Sequence, residues 1–288
     1  MNIAVTGSSG FIGRNLIDAI KQTFLNDNLI LIDYVNGIDI LDKNQLGNID
    51  KFDVMIHLAA KSYVPESFEK PYDFYYTNII GTLNILELCK KNKAKLIYLS
   101  SYVYGIPEYI PVDEQQKAKA FNPYGQSKLM CESLCEGYNR DFGVPVIVFR
   151  PFNVYGDGQN TEFLIPSIIK QINEGKNEII LKDPTPRRDF VFINDVVSAI
   201  VKVIGKEFST YEVLNICSGE SYSVREVTEI INRLLKKKVT FIFDEQMQRK
   251  NEVNDTLGSR IKIGKFLKWT PSYSFEEGIT EIINKYDI

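Results

Sequence analysis

The eight residues Thr6-Gly7-Ser8-Ser9-Gly10-Phe11-Ile12-Gly13 constrain this 288-residue chain more than any other stretch. They separate an apolar run, Asn2–Thr6, from a stretch of helical periodicity near Gly13–Phe24. Glycine at Gly7, Gly10 and Gly13 lets the backbone turn sharply and lets another group lie directly against it. The amides at the start of the following helix carry partial positive charge, which suits a pyrophosphate. Twenty residues past Gly13 a second apolar run, Leu29–Asp33, ends in a carboxylate. Strand, glycine-rich turn, helix and a second strand closed by an acid form the pattern of a dinucleotide-binding unit. A carboxylate at Asp33 accepts hydrogen bonds from adenosine ribose hydroxyls and repels a 2′-phosphate, so NAD is expected rather than NADP.

Further apolar runs follow at Asp53–Leu58, Lys95–Ser100 and Pro145–Arg150, with helical patterns at Tyr72–Lys91 and Tyr124–Phe142. Runs that are apolar throughout, rather than alternating, suit parallel strands covered on both faces. The expected fold is therefore α/β: a doubly wound parallel Rossmann sheet over residues 1–154, with right-handed crossovers. Beyond Asn153 the rhythm changes, and Pro166, Pro184, Pro186 and Pro271 punctuate shorter elements. Residues 155–288 are expected to form a smaller C-terminal α/β substrate lobe. Within it, a strand near 212–217 is open to pairing back with the first domain.

A formal charge of -3 and a pI near 5.5 give no global attraction to nucleic acid or anionic membrane, and neither is expected as a partner. No basic, apolar leader opens the chain, and no run reaches the roughly 18 apolar residues of a membrane span. Cys89, Cys131, Cys135 and Cys217 lack the spacing of a disulfide scaffold, and with His57 as the single histidine no metal site is expected. Four packed thiols suit a reducing cytoplasm. His57 ends an apolar run and is expected to be a structural histidine.

The spacing TGxxGxxG resembles the extended short-chain dehydrogenase/reductase family, in its nucleotide-sugar epimerase/dehydratase group, which includes UDP-glucose 4-epimerases. The resemblance runs from Asn2 to Trp269-Thr270-Pro271 and Glu276-Glu277-Gly278. It implies a cofactor site of Gly7, Gly10, Phe11, Ile12, Gly13 and Asp33, with Asp39-Ile40 against adenine. Leu58, Ala59, Ala60 and Lys61 match the family's loop over the cofactor, Asn78 its bracing asparagine, and Pro151 a further cofactor contact.

Tyr124-Gly125-Gln126-Ser127-Lys128 places a phenol and an ammonium one helical turn apart on one face. A free tyrosine titrates near about 10, too high for a base at neutral pH. An adjacent cation and an oxidised nicotinamide would both favour the phenolate. In the family these are the catalytic tyrosine and lysine, and both also touch the cofactor. Counting back from Val103-Tyr104-Gly105 selects Ser100 as the catalytic hydroxyl that binds the sugar oxygen; a one-residue gap selects Ser101, a further substrate contact.

Dehydrating members carry Asp-Glu directly after their catalytic threonine, and members that epimerise through a carbanion place a cysteine two residues on. Counted from Ser100, those positions hold Ser101 and Tyr102. That leaves hydride chemistry at C4 of a nucleotide-diphosphate sugar. A UDP-hexose 4-epimerase is expected, with a reductase of a nucleotide-linked 4-keto-6-deoxyhexose and a non-catalytic dinucleotide sensor as alternatives. The family pattern assigns Asn153, Arg188 and Arg249 to the diphosphate and Phe163-Leu164 to the nucleotide base; guanidinium forks meet phosphate oxygens in pairs. Thr256, seven residues after Arg249, matches the position bordering the substituent on sugar carbon 2. The family's intersubunit helix bundle implies a homodimer through Tyr72–Lys91 and Tyr124–Phe142.

Overall fold

The computed structural model describes residues 1–244 and 253–288. The chain divides into two compact units. One comprises Met1–Gly105, Lys117–Pro151 and Val197–Leu214; the other comprises Ile106–Gln116, Phe152–Val196 and Asn215–Ile288.

The first unit is built on a six-stranded sheet. Its strands are β1 (Asn2–Thr6), β2 (Asn28–Ile32), β3 (Val54–His57), β4 (Lys95–Leu99), β5 (Val146–Pro151) and an edge strand, Tyr211–Ile216. The order is β2-β1-β3-β4-β5-edge, with β1 through β5 all parallel. β1, β3, β4 and β5 are buried along nearly their whole length, as their unbroken apolar sequences require. The connection leaving β1 runs through helix α1 (Phe11–Thr23) to β2 on one side, and the chain then returns to β3 on the other. The carboxyl end of β1 is thus the topological switch point, where open α/β sheets bind ligands.

Two helices cover the sheet near β4. The helix Pro123–Phe142 starts where Asn122 accepts a hydrogen bond from the Gly125 amide at 2.7 Å and proline fills the first turn. The single helix expected over Tyr72–Lys91 is instead three segments: Pro71–Tyr75, a π-helical stretch Tyr76–Ile80, and Gly81–Asn92.

The second unit holds a small sheet in which Arg187–Phe192 pairs with Ser221–Ser223, Asp255–Thr256 and Asn153–Tyr155, plus the parallel pair Glu178–Leu181 and Thr240–Phe243. Tyr155, Phe190, Phe192 and Phe275 pack together as its aromatic core. Capping boxes at Ser223/Glu226 and Ser274/Glu277 start two of its helices.

The boundary differs from a simple cut after residue 154. Ile106–Gln116 belongs to the second unit because Val112 exchanges backbone hydrogen bonds with Leu257 and Ser259, and Glu114 accepts the Asn215 amide. Val197–Leu214 belongs to the first, where Thr210 receives the Val146 amide and the Lys206 carbonyl receives Lys95 Nζ. The strand expected near 212–217 is the edge strand Tyr211–Ile216.

Candidate active site

The turn after β1 is as tight as its glycines require. Gly7 has φ +68°, and a Cβ there would lie 2.7 Å from the Ala59 amide nitrogen; a Cβ on Gly13 would lie 2.2 Å from the Gly7 carbonyl oxygen. Helix α1 starts at Phe11 with Gly10 as its cap and no capping side chain, so a dinucleotide can approach the amides of Phe11, Ile12 and Gly13. This cradle fits a pyrophosphate. Asp33 stands beside it, accepting the Ser9 amide at 3.0 Å and the Val35 amide at 3.1 Å. Burial pushes its carboxyl up, but these amides outweigh burial and hold it below the usual range.

The rest of the expected cofactor set gathers around β3. Thr6 Oγ1 accepts the amides of Leu58 at 3.2 Å and Ala59 at 3.1 Å, fixing the loop that continues through the half-buried Ala60. The Lys61 ammonium is 3.8 Å from Asp73 and 4.0 Å from Glu66. Asn78, inside the π-helical stretch, brackets Lys61 by accepting its amide and donating to its carbonyl, and also donates to Ser127 Oγ at 2.8 Å. Asp39 caps the Leu41 amide. Ile40 is buried against Gly81, with its carbonyl receiving Asn84, so its side chain belongs to the core. Pro151 is buried at the end of β5. His57 is enclosed: its ring nitrogens meet Thr6 Oγ1 at 2.7 Å and Thr82 Oγ1 at 3.0 Å. Burial, helped by the Lys128 charge, pushes its pKa down to about 3.

At the carboxyl end of β4 the structure parts the two serines. Of the two, Ser101 is the serine near enough to the Tyr124 phenol to lower its pKa. Ser100 is buried with its hydroxyl on Glu132 Oε1 at 2.5 Å, so the expected bridge from Ser100 to Tyr124 gives way to Ser101. Neighbouring residues of an extended strand end point to opposite sides, which sends the two hydroxyls to different partners. The Lys128 ammonium donates to the Leu99 carbonyl at 2.6 Å and lies 4.6 Å from the Tyr98 ring centre. Burial lowers its pKa to about 8. Tyr124 is raised, since burial outweighs the Ser101 hydrogen bond.

In the second unit, Asn153 opens a short strand and donates to the Asp189 carbonyl at 3.3 Å. Arg188 Nη1 donates to the carbonyls of Arg187 and Val253, both at 2.7 Å. Its neighbour Arg187 is engaged with Glu226 at 2.6 Å and with the Ser221 carbonyl. Phe163 is exposed at the start of the helix Leu164–Asn173, with Leu164 half-buried beside it. Arg249 lies outside the described residues. Thr256 is buried opposite Arg188. Among the described residues no helix is long and apolar enough to cross a membrane, and no His/Cys/Asp/Glu group is placed to hold a metal ion.

The sequence model of the NAD dependent epimerase/dehydratase family matches residues 3–217. The chain belongs to that family. Its curated relatives include the GDP-6-deoxy-D-mannose reductase of Pseudomonas aeruginosa, 31% identical with 98% of this chain and 96% of the relative covered. A putative UDP-glucose 4-epimerase of Methanocaldococcus jannaschii is 32% identical, with 98% and 97% covered. Among solved structures, RMD of P. aeruginosa complexed with NADPH has a TM-score of 0.89 at 30% identity, covering 99% of this chain and 98% of the other. A UDP-glucose 4-epimerase of Thermotoga maritima with UDP-glucose also has a TM-score of 0.89, at 26% identity, covering 100% and 99%. This member of the epimerase/dehydratase family is thus a nicotinamide-dinucleotide-dependent enzyme of the extended short-chain dehydrogenase type.

Two features of this family member were not read from its sequence. One is the π-helical stretch that turns Asn78 toward both Lys61 and Ser127; such bulges carry no residue signature. The other is the buried pair of Glu132 and Arg150, joined through Arg150 Nη2 at 2.5 Å. A signal for it existed, since Glu132 continues the spacing of Tyr124 and Lys128 along one helix face.

Proposed function

We propose that the protein transfers hydride at C4 of a nucleotide-diphosphate sugar, with NAD as cofactor, as a UDP-hexose 4-epimerase. The observation that carries this is Tyr124 with Lys128 one turn on at the carboxyl edge of β4, where Lys128 donates to the Leu99 carbonyl and Ser101 acts on the phenol. Counted from Ser101, the positions that serve dehydration or carbanion chemistry hold Tyr102 and Val103, neither an acid nor a thiol. Tyr124 takes the proton from the C4 hydroxyl, and Ser101 holds that oxygen. Lys128, released from the Leu99 carbonyl, favours the phenolate and binds the cofactor ribose. NAD, held by the Gly7–Gly13 turn and Asp33, would supply the hydride acceptor for the oxidation and the hydride donor for the reduction of the other face of the keto-sugar. Asn153, Arg188 and Arg249 hold the diphosphate, and Phe163 and Leu164 flank the base.

One observation favours a second reading: the reductase similarity covers 98% of the chain, and the related structure of RMD holds NADPH. In that reading the same groups reduce a nucleotide-linked 4-keto-6-deoxyhexose. The deciding experiment incubates the protein with UDP-glucose, UDP-N-acetylglucosamine, and dTDP- and GDP-linked 4-keto-6-deoxyhexoses, with and without NADH and NADPH. Turnover of a UDP-hexose without added cofactor supports the epimerase. Stoichiometric loss of reduced cofactor with a keto-sugar replaces it with the reductase.

The working form proposed is a homodimer through the helices around Tyr72–Lys91 and Pro123–Phe142. Phe68, Tyr72, Tyr76 and Met130 are exposed there, and the Tyr72 and Tyr76 rings stack at 5.7 Å. Light scattering finding only a 33.0 kDa species at micromolar concentration would remove it.

A further inference from the structure

Three successive residues at the end of β4 are each held by one helix. The Leu99 carbonyl receives Lys128 Nζ, the Ser100 hydroxyl donates to Glu132, and Ser101 meets Tyr124. Tyr124, Lys128 and Glu132 stand on successive turns of Pro123–Phe142. Proton transfer and cofactor binding account for the first two. Nothing in the proposed chemistry uses Glu132.

Glu132 is 3% exposed, and its carboxylate is fully engaged by its neighbours. Arg150 Nε lies 3.0 and 3.2 Å from its two oxygens, and Arg150 Nη2 lies 2.5 Å from Oε2. Arg150 projects from β5, and its guanidinium lies 4.8 Å from the Tyr104 ring centre. Burial works against the guanidinium charge, and the Glu132 carboxylate outweighs it. One carboxylate therefore ties the helix bearing Tyr124 to both β4 and β5. A buried ion pair adds little net stability over well-packed apolar residues of the same volume, and its best-attested use is to fix a register.

We infer that Glu132, clamped by Arg150, is a positioning residue: by gripping Ser100 it sets Ser101 against the Tyr124 hydroxyl and sets the helix against β4. This rests on the Ser101–Tyr124 assignment above. Ser100 is then an anchor, and the adjacent serines divide the work between holding the strand end and meeting the substrate.

The test uses the full-length protein, a Glu132→Met/Arg150→Met double variant, Ser100→Ala and, for comparison, Ser101→Ala. Each is compared with the wild type in thermal unfolding, NAD binding, steady-state kinetics and pH titration of the Tyr124 phenol. The phenol signal is the tyrosinate absorbance missing from the same protein carrying Tyr124→Phe. The double variant is expected to melt near the wild type and bind NAD normally. Its turnover falls roughly 10²-fold at little-changed KM, since small misplacements of reacting groups cost that much. Its phenol titrates at higher pH, because the Ser101 hydrogen bond that lowers it is loosened. Ser100→Ala moves both readouts the same way by a smaller factor, and decides the matter should the double variant not fold. Unchanged turnover and phenol titration in the folded variants would overturn the inference. So would a Ser100→Ala loss as large as that of Ser101→Ala, which would make Ser100 the reacting hydroxyl. If the wild type acts on none of the sugars offered, the proposed substrate fails while the phenol titration still judges the brace.

Discussion

Burial pushes the Tyr124 phenol up and the Ser101 hydrogen bond pulls it down, and burial prevails. Lys128, the cation expected to acidify it, is turned to the Leu99 carbonyl instead. The phenol is therefore neutral at neutral pH. In the proposed mechanism a positively charged nicotinamide and a Lys128 drawn away from Leu99 would supply the acidifying influence.

Tyr124→Phe keeps the ring, including its edge contact with Phe74 at 6.5 Å, and removes only the hydroxyl. Turnover should drop by about 10²–10⁴-fold, the usual contribution of a positioned acid–base group. Sugar-nucleotide affinity, measured calorimetrically, should barely change, because the groups assigned to the diphosphate and base are elsewhere in the chain. Near-normal turnover in this variant would remove Tyr124 from the mechanism.

Asp33 is held ionised by the Ser9 and Val35 amides beside the glycine turn. The Ser9 and Val35 amides meet separate carboxylate oxygens, so Asp33→Asn keeps an acceptor for one of them while removing the charge proposed to meet the ribose and repel a 2′-phosphate. Hydrogen bonds to charged groups are worth about 1.5–3 kcal/mol. The preference for NADH over NADPH, read by fluorescence titration, should therefore shrink by roughly ten- to a hundred-fold. Tighter binding of NADPH than NADH by the unmodified protein would reverse the cofactor assignment.

The strands β1, β3, β4 and β5 were legible because burial on both faces writes itself as unbroken apolar runs, and the start of the Tyr124 helix because Asn122-Pro123 is a local stop-and-start signal. The need for glycine at Gly7 and Gly13 was legible because backbone sterics within one βαβ unit set it. The choice between Ser100 and Ser101 was not legible. It is made by Glu132 and Arg150, 32 and 50 residues further along the chain, and counting from a local motif does not see them. The packing of the Ile40 side chain was likewise not legible, because Gly81 opens a core site that a two-residue match does not reveal. Membership of Ile106–Gln116 in the second unit rests on backbone pairing to Leu257 and Ser259, again beyond local pattern.

His57 gives the fold an acid-sensitive element. Its pKa is about 3 in the folded chain against an ordinary 6.5, with burial the main cause and the Lys128 charge the second. Between those values the unfolded chain binds a proton that the folded one does not. The stabilisation is complete above about 6.5 and is lost as pH falls toward about 3. His57→Gln keeps an amide between Thr6 and Thr82 but cannot titrate. Urea unfolding midpoints at about pH 7 and about pH 4.5 should differ less in this variant than in the wild type. Equal losses would assign acid sensitivity to other groups.

Thr256, expected to border the sugar, is held in the strand Asp255–Thr256 of the second unit. It is 4% exposed, it pairs with Arg188 across two strands, and its hydroxyl is buried with no hydrogen-bond partner among the described residues. A buried hydroxyl without a partner costs about 1–3 kcal/mol. Thr256→Val keeps the β-branched shape that suits a strand and removes that cost. The variant should gain roughly 1 kcal/mol, which raises Tm by roughly 2–4 °C for a chain of this size. Thr256→Tyr should lose stability by overpacking, by about 1–3 kcal/mol. The ratio of activities on UDP-N-acetylglucosamine and UDP-glucose should be the same in Thr256→Val as in the wild type. If instead Tm is unchanged and only the acetylated substrate suffers, the Thr256 hydroxyl is reserved for a bound N-acetyl group, and the residue returns to the sugar pocket.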